Sequence, residues 1–359
     1  LKIGLIKKSL FILKLSNIIS NMNNIEFKKQ MNQINREAAQ NAKRDTCLIC
    51  GKGCTSFCNS HIIPQFILKS IADNGHVLQG TSAFNNSDED VGESIKGVNN
   101  TWTFKIICHD CDKKYFADYE NEQALMAEPT TKLMAEIALK NNMMQLAKRY
   151  HEIASYNIIQ DGIIQKELLD EEQQLDVRDY LFDFKRAKKI IDKNLKSGYV
   201  LMFYHILNYV TPIVMQGPIA VHRDIDGEIV NDVNDYNHNI KMQALHVGIF
   251  PLKNSTAILA FYHKDDRNYV KFDKKFSRLN LNEKLQYLNY LVFKYCEYYA
   301  VSPIIDNSVL SNEKLSQLVS EHYDSPYAFI SEDNWLMIDK PLIDCREIPN
   351  LLDEQFKLR

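Results

Sequence analysis

Cys47-Leu48-Ile49-Cys50, then Ser60-His61-Ile62-Ile63-Pro64, then Cys108-His109-Asp110-Cys111-Asp112 decide how this chain is read. A Cys-x-x-Cys pair sits on a tight knuckle, because that spacing lets two sulfurs reach one ion at about 2.3 Å. Two knuckles from distant segments, Cys47/Cys50 and Cys108/Cys111, satisfy one tetrahedral structural zinc and clamp the chain between them. Inside the clamp lies His61, whose neutral imidazole can take a proton near neutral pH. After it come Asp112 and Glu120, carboxylates that suit a second, catalytic divalent ion, Mg²⁺ or Mn²⁺. Cys54 and Cys58 also fall inside the clamp. Each is either a spare thiol or a substitute for one knuckle position.

Working outward, six of the eight cysteines fall between Cys47 and Cys111, whereas a secreted disulfide framework would spread them along the chain. Clustered pairs in a chain of this size read as metal binding in a reducing compartment, so the expected location is cytoplasmic. Cys296 and Cys345 stand alone and read as buried thiols. The formal net charge is only -3, which excludes a polycation and confines nucleic-acid contact to local basic patches. The candidates are Lys113 and Lys114 after the second knuckle, and Lys185, Arg186, Lys188 and Lys189 in a charged helical stretch. A solvated helix face is the blander reading of that stretch. The basic, apolar run over residues 1–20 is too short in its apolar part to span a bilayer and lacks a cleavage signal. The functional chain is expected to begin at Met22 or Met31, and no membrane association is expected.

The order of these motifs, closing on Tyr119-Glu120, resembles the zinc-bearing branch of the HNH endonucleases over about residues 45 to 125, roughly a fifth of the chain. The resemblance implies a ββα-metal module that hydrolyses phosphodiester bonds of nucleic acid, double-stranded DNA first. It makes His61 the general base and Asp112 the firmest catalytic-metal ligand, with Glu120 second and His109 third. It also implies a setting in bacterial defence against phage, with a partner protein of the same system. Two departures stand out. Ser60 holds the place where many members carry a metal-binding Asp or His, and Asn99 and Asn100 lie further upstream than the family's middle Asn, which falls a few residues before the second cysteine pair. The competing reading is therefore a non-catalytic zinc-knuckle module that binds nucleic acid or protein. Asp112 also reads as a helix N-cap, and Glu120 as a solvated helix residue. Their separation of just over two helical turns places both on one side of a helix.

The fold class expected is α+β. Residues 1–44 form a basic helical leader, 45–125 the zinc-stapled HNH nuclease module, 126–197 a helical connector, and 198–359 a C-terminal α+β domain. Within these, Asp73 to Asn100 reads as an inserted loop or ragged hairpin, and Trp102 to Ile107 as the strand that delivers Cys108. Helical pattern runs from Asp112 to about Leu146 with a break at Pro129, and again from about Lys166 to Lys196. In the last domain, Pro218 to Val230 has a hairpin signature turning at Asp226-Gly227. Met242 to Phe250 pairs with Thr256 to His263, and Leu281 to Tyr299 is an amphipathic helix. The histidines His205, His222, His246 and His263 sit in apolar runs and read as packing residues, leaving this domain without a visible site.

Overall fold

The structure is a computed structural model and describes residues 24–80, 95–159, 166–232, 239–321, 327–331, 334–337 and 343–359; the leader over residues 1–23 lies outside them. The polar stretch free of Gly and Pro forms helix α1 (Asn24–Asn41), which lies along a later helix, α5. Strand β1 (Ser60–His61) is followed by helix α2 (Gln65–Ile71), which starts directly after Pro64 and buries Ile67, Leu68 and Ile71. Strands β2 (His76–Gln79) and β3 (Ile95–Gly97) pair antiparallel, and β4 (Thr103–Phe104) pairs with β1. Helices α3 (His109–Tyr115), α4 (Glu122–Leu125), α5 (Thr131–Ile159) and α6 (Lys166–Asp192) come next. The last part carries β5 (Tyr199–Leu207), β6 (Ile213–Ile219), β7 (Leu245–Pro251) and β8 (Thr256–His263). Helices α7 (Asn268–Ser277) and α8 (Leu281–Tyr295) and strand β9 (Tyr299–Val301) follow, then α9 (Asn307–Leu310), α10 (Glu313–Glu321) and a hairpin of β10 (Tyr327–Ser331) with β11 (Asn334–Met337).

Mixed helix and antiparallel sheet bear out the α+β class. Among the described residues the principal sheet has seven strands in the order β3-β2-β9-β6-β7-β8-β5, antiparallel at every pairing. Every residue of β7 and β8 is buried. Successive side chains on a strand point to opposite faces, so a strand buried throughout has both faces covered. Helices α2, α5 and α8 supply part of that cover through contacts with β6, and α2 also meets β7. Among the described residues no helix is long and apolar enough to cross a membrane.

Three local expectations are corrected and one is extended. The expected hairpin between the cysteine pairs is present as β2 with β3, and β2 also pairs with β9 and so joins the principal sheet. The extended stretch before Cys108 is regular only at Thr103–Phe104. Its flanks are held instead by scattered bonds, Ile62 N–H to the Trp102 carbonyl at 3.0 Å and Leu48 N–H to Ile106 at 2.9 Å. Pro218 belongs to β6, whose partners are β7 and β9; the Asp224-to-Gly227 turn closes separately, through Gly227 N–H to the Asp224 carbonyl at 2.9 Å and the isolated pair Arg223–Ile229. The Leu281 helix, started by an Asn280–Glu283 capping box, stops at Tyr295, because Tyr299 is needed as a strand residue against Met215. The expected Met242–Phe250 and Thr256–His263 pair is present as β7 and β8.

Candidate functional site

The first knuckle closes on itself. Gly51 N–H bonds the Cys47 carbonyl at 2.8 Å, and Gly51 takes φ +71°, a backbone conformation that glycine adopts without strain. The second knuckle opens helix α3, with Cys108 at its N-cap and Cys111 in its first turn. The Cys108 N–H points at the Cys47 sulfur at 3.3 Å, and the Cys50 and Cys108 sulfurs lie 4.0 Å apart. All four sulfurs of Cys47, Cys50, Cys108 and Cys111 fall within 4.8 Å of one another. Sulfurs bound to one zinc at about 2.3 Å stand roughly 4 Å apart, so this set fits a tetrahedral thiophilic ion and can hold zinc. Burial works to raise the Cys47 thiol, but the N–H groups of Cys50, Cys108 and Ile49 outweigh it and bring it down to about 7. Burial and the neighbouring sulfurs push Cys111 up. Cys54 and Cys58 stand outside the cluster; Cys54 donates to the Ser56 carbonyl at 2.8 Å.

One turn further along α3, Asp112 meets a second set of groups. Ser60 Oγ donates to Asp112 Oδ1 at 2.6 Å, and the Cys58 thiol donates to Oδ2 at 3.4 Å. Lys140, from the middle of α5, reaches the same place with its side chain only 1% exposed. Its ammonium lies 2.9 Å from Ser60 Oγ, 3.3 Å from Asp112 Oδ1 and 3.3 Å from Glu120 Oε1, and 4.3 Å from the centre of the Phe116 ring. Burial alone would raise the Asp112 carboxyl, but Lys140, Ser60 and Cys58 overcome it and hold it below its ordinary value. Burial and the Asp112 charge push the Cys58 thiol up to about 11, so Cys58 stays a neutral donor. This arrangement does not fit a divalent ion shared by Asp112 and Glu120. Both Asp112 oxygens already accept bonds, and an ammonium lies between the two carboxylates.

Two expectations about the carboxylates, and one about His109, are settled by position. Asp112 is not the N-cap of α3, since Cys108 is. Glu120 is not on the helix of Asp112, which ends at Tyr115; a turn after α3 brings the two together across Lys140. His109 is exposed. His61 packs its ring by the Val98 carbonyl, with Nε2 at 3.2 Å. A carbonyl only accepts, so Nε2 carries the ring proton and Nδ1 is the nitrogen with a free lone pair. Burial lowers the affinity of His61 for a second proton, against the pull of the Val98 and Asn99 carbonyls, which keeps it a neutral base.

Two of the basic candidates, Lys114 and Lys188, meet at Tyr115. Lys114 and Lys188 lie over its ring at 5.5 Å and 5.6 Å, and its hydroxyl donates to Asp192 at 2.5 Å. Lys113, Lys114, Lys185 and Lys189 are exposed. Lys188 is paired with Asp192 at 2.5 Å. Arg186 faces inward instead, bonded to Asp183 at 2.5 Å, to Asp266 at 3.0 Å and to His263 at 3.1 Å.

Gln216, Asn141 and Lys140, absent from the sequence reading, complete the picture. The Tyr119 hydroxyl, fully buried, donates to the Ile62 carbonyl at 2.7 Å and meets the Gln216 side chain of β6. Gln216 is bonded to Asn141 at 2.9 Å, and Asn141 to His246 at 3.1 Å. This buried polar chain ties the hairpin of His61 to the centre of the sheet. Lys140 had a legible signal. It sits in a helix buried at every position from Leu133 to Met143, where a lysine must find partners. Set against protein-family models, curated proteins and solved structures, the chain matches none of them.

Proposed function

We propose that this chain is an HNH-type endonuclease that hydrolyses phosphodiester bonds of nucleic acid, double-stranded DNA first, with His61 as the general base. The observation that carries the reading is the hairpin register, Ser60 opposite Phe104 and His61 opposite Thr103, running through the Cys108 knuckle into α3. Two short strands, a thiolate cluster and a helix thus surround a neutral imidazole whose Nδ1 can take a proton from water. In this reading zinc on the four cysteines is scaffold, the exposed Lys113, Lys114, Lys185 and Lys189 meet phosphates, and His61 moves the proton. The Mg²⁺ or Mn²⁺ expected on Asp112 and Glu120 carries no step of it, because Lys140 lies between those carboxylates.

A second reading, a zinc module that binds nucleic acid or protein without cutting, is favoured by the same Lys140. An HNH site that has exchanged its acidic ligand for Ser60 and gained a lysine keeps its scaffold whether or not it keeps its chemistry. Nicking of supercoiled plasmid by the purified chain, with Mg²⁺, with Mn²⁺ and with no added ion, separates the two. The nuclease reading expects nicking that His61→Ala lowers by roughly 10²- to 10⁴-fold at unchanged zinc content. No nicking under any condition, or a His61 variant as fast as its parent, leaves the binding module.

A further inference from the structure

The group at the Asp112 centre that the sequence did not call for is a cation. We propose that the Lys140 ammonium is the permanent counter-ion of Asp112 and Glu120, standing where a divalent ion would otherwise sit. The wild-type chain therefore takes up no Mg²⁺ or Mn²⁺ there. The inference rests on the HNH-type reading of the hairpin and helix, and deepens it by assigning the identity of the cation.

Three observations converge. The ammonium is within 3.3 Å of an oxygen of each carboxylate and of the Ser60 hydroxyl, the residue directly before His61. Its side chain is 1% exposed although Glu120 is 47% exposed, so the lysine is built into the fold while the carboxylate lies at its surface. The remaining groups turned toward Asp112 are donors: Ser60 Oγ and the Cys58 thiol, which stays protonated. A divalent-ion seat needs several free oxygen lone pairs, and each Asp112 oxygen already accepts from a donor, Oδ1 from both Ser60 and Lys140 and Oδ2 from Cys58. A second cation within about 3 Å of a buried ammonium would also be strongly repelled. The substitution is balanced in charge. A site that lacks an acid at Ser60 and gains Lys140 needs no dication to neutralise Asp112 and Glu120.

The test uses the full, zinc-loaded chain and Mn²⁺ alone as the probe, with free Mn²⁺ followed by its electron paramagnetic resonance signal. Thiolates prefer zinc to Mn²⁺, so the cysteine cluster stays silent. The wild type should leave added Mn²⁺ free. Lys140→Met, which keeps much of the length and removes the charge, should bind it on the order of a hundredfold more tightly. Adding Asp112→Asn to that variant should abolish the gain. If Lys140→Met does not fold, Lys140→Gln, which retains hydrogen-bonding to Ser60 and Asp112, takes its place. Mn²⁺ uptake by the wild type that disappears with Asp112→Asn alone overturns the proposal. So does a folded, zinc-loaded Lys140 variant that binds no more Mn²⁺ than the wild type. Failure of the chain to nick plasmid sinks the nuclease reading and leaves the Mn²⁺ result standing.

Discussion

Glu136 offers a stability experiment whose sign follows from burial. It lies in the middle of α5 with its side chain sealed from solvent. One carboxyl oxygen accepts the Tyr119 N–H at 2.8 Å, and the other faces Lys132 at 3.4 Å. Burial, helped by the nearby Asp118 charge, pushes its carboxyl from 4.5 up to about 7, against the pull of the Tyr119 N–H and Lys132. A carboxyl that holds its proton more tightly folded than unfolded stabilises the fold at low pH. That contribution is lost as pH rises from the unfolded value through the folded one. At ~1.36 kcal/mol per pH unit, the displacement costs the fold about 3 kcal/mol at about pH 8 and about 1 kcal/mol at about pH 5. Glu136→Gln does not titrate and keeps an acceptor for Tyr119. The half-exposed Lys132 contact it gives up is worth only a few tenths of a kcal/mol, about as much as a surface pair. The variant should therefore be the more stable protein at about pH 8, and its advantage should shrink by about 2 kcal/mol at about pH 5. Urea melts of both proteins at the two pH values read this directly, because every other titrating group is common to both and cancels. An advantage that does not change with pH refutes the argument that Glu136 is held with a raised carboxyl.

Three further outcomes follow from the same geometry. Cys108→Ser removes one thiolate while leaving a residue that suits the N-cap position of α3, so it should lose zinc by elemental analysis and open the hairpin to limited proteolysis, since structural zinc contributes on the order of 10 kcal/mol to small knuckle folds; full zinc retention counts against the four-sulfur site. Tyr119→Phe deletes the hydroxyl between Ile62 and Gln216 and should cost about 1–3 kcal/mol in chemical denaturation; a cost near zero means those polar groups find other partners. If His61 is the base, burial keeps it deprotonated to lower pH than a free imidazole, and the acid limb of the nicking rate should fall below 6.5; a limb above that value points to another group.

The four-cysteine cluster was legible because each knuckle is a local event: two intervening residues and a turn fix the two sulfurs of a pair, and only one distant meeting is needed. The β7–β8 pair was legible for the same reason, with a Lys253-Asn254-Ser255 turn between two apolar runs. What escaped is uniformly non-local. The pairing of β2 with β9 joins residues 78 and 301, and no local pattern at either end announces it. The end of α8 at Tyr295 is set by the demand of β6 for another strand, which helical periodicity cannot express.

Lys140 falls between these cases, and it alters the chemistry most. Helix α5 buries Leu133 through Met143 on every side, so its apolar residues show no stripe and its two charges, Glu136 and Lys140, stand out. They sit four residues apart, the spacing of an ordinary helical ion pair, and that reading would have been wrong. Glu136 turns to Tyr119 and Lys132, while Lys140 turns to Ser60, Asp112 and Glu120. A buried charge of this kind has to be matched by something the sequence also contains. Here the match is the pair of carboxylates, Asp112 and Glu120, that the motif assigns to a metal. Counting charges around a proposed ion site, including those on helices far away in sequence, is thus the step that turns a motif match into a statement about which cation the site holds.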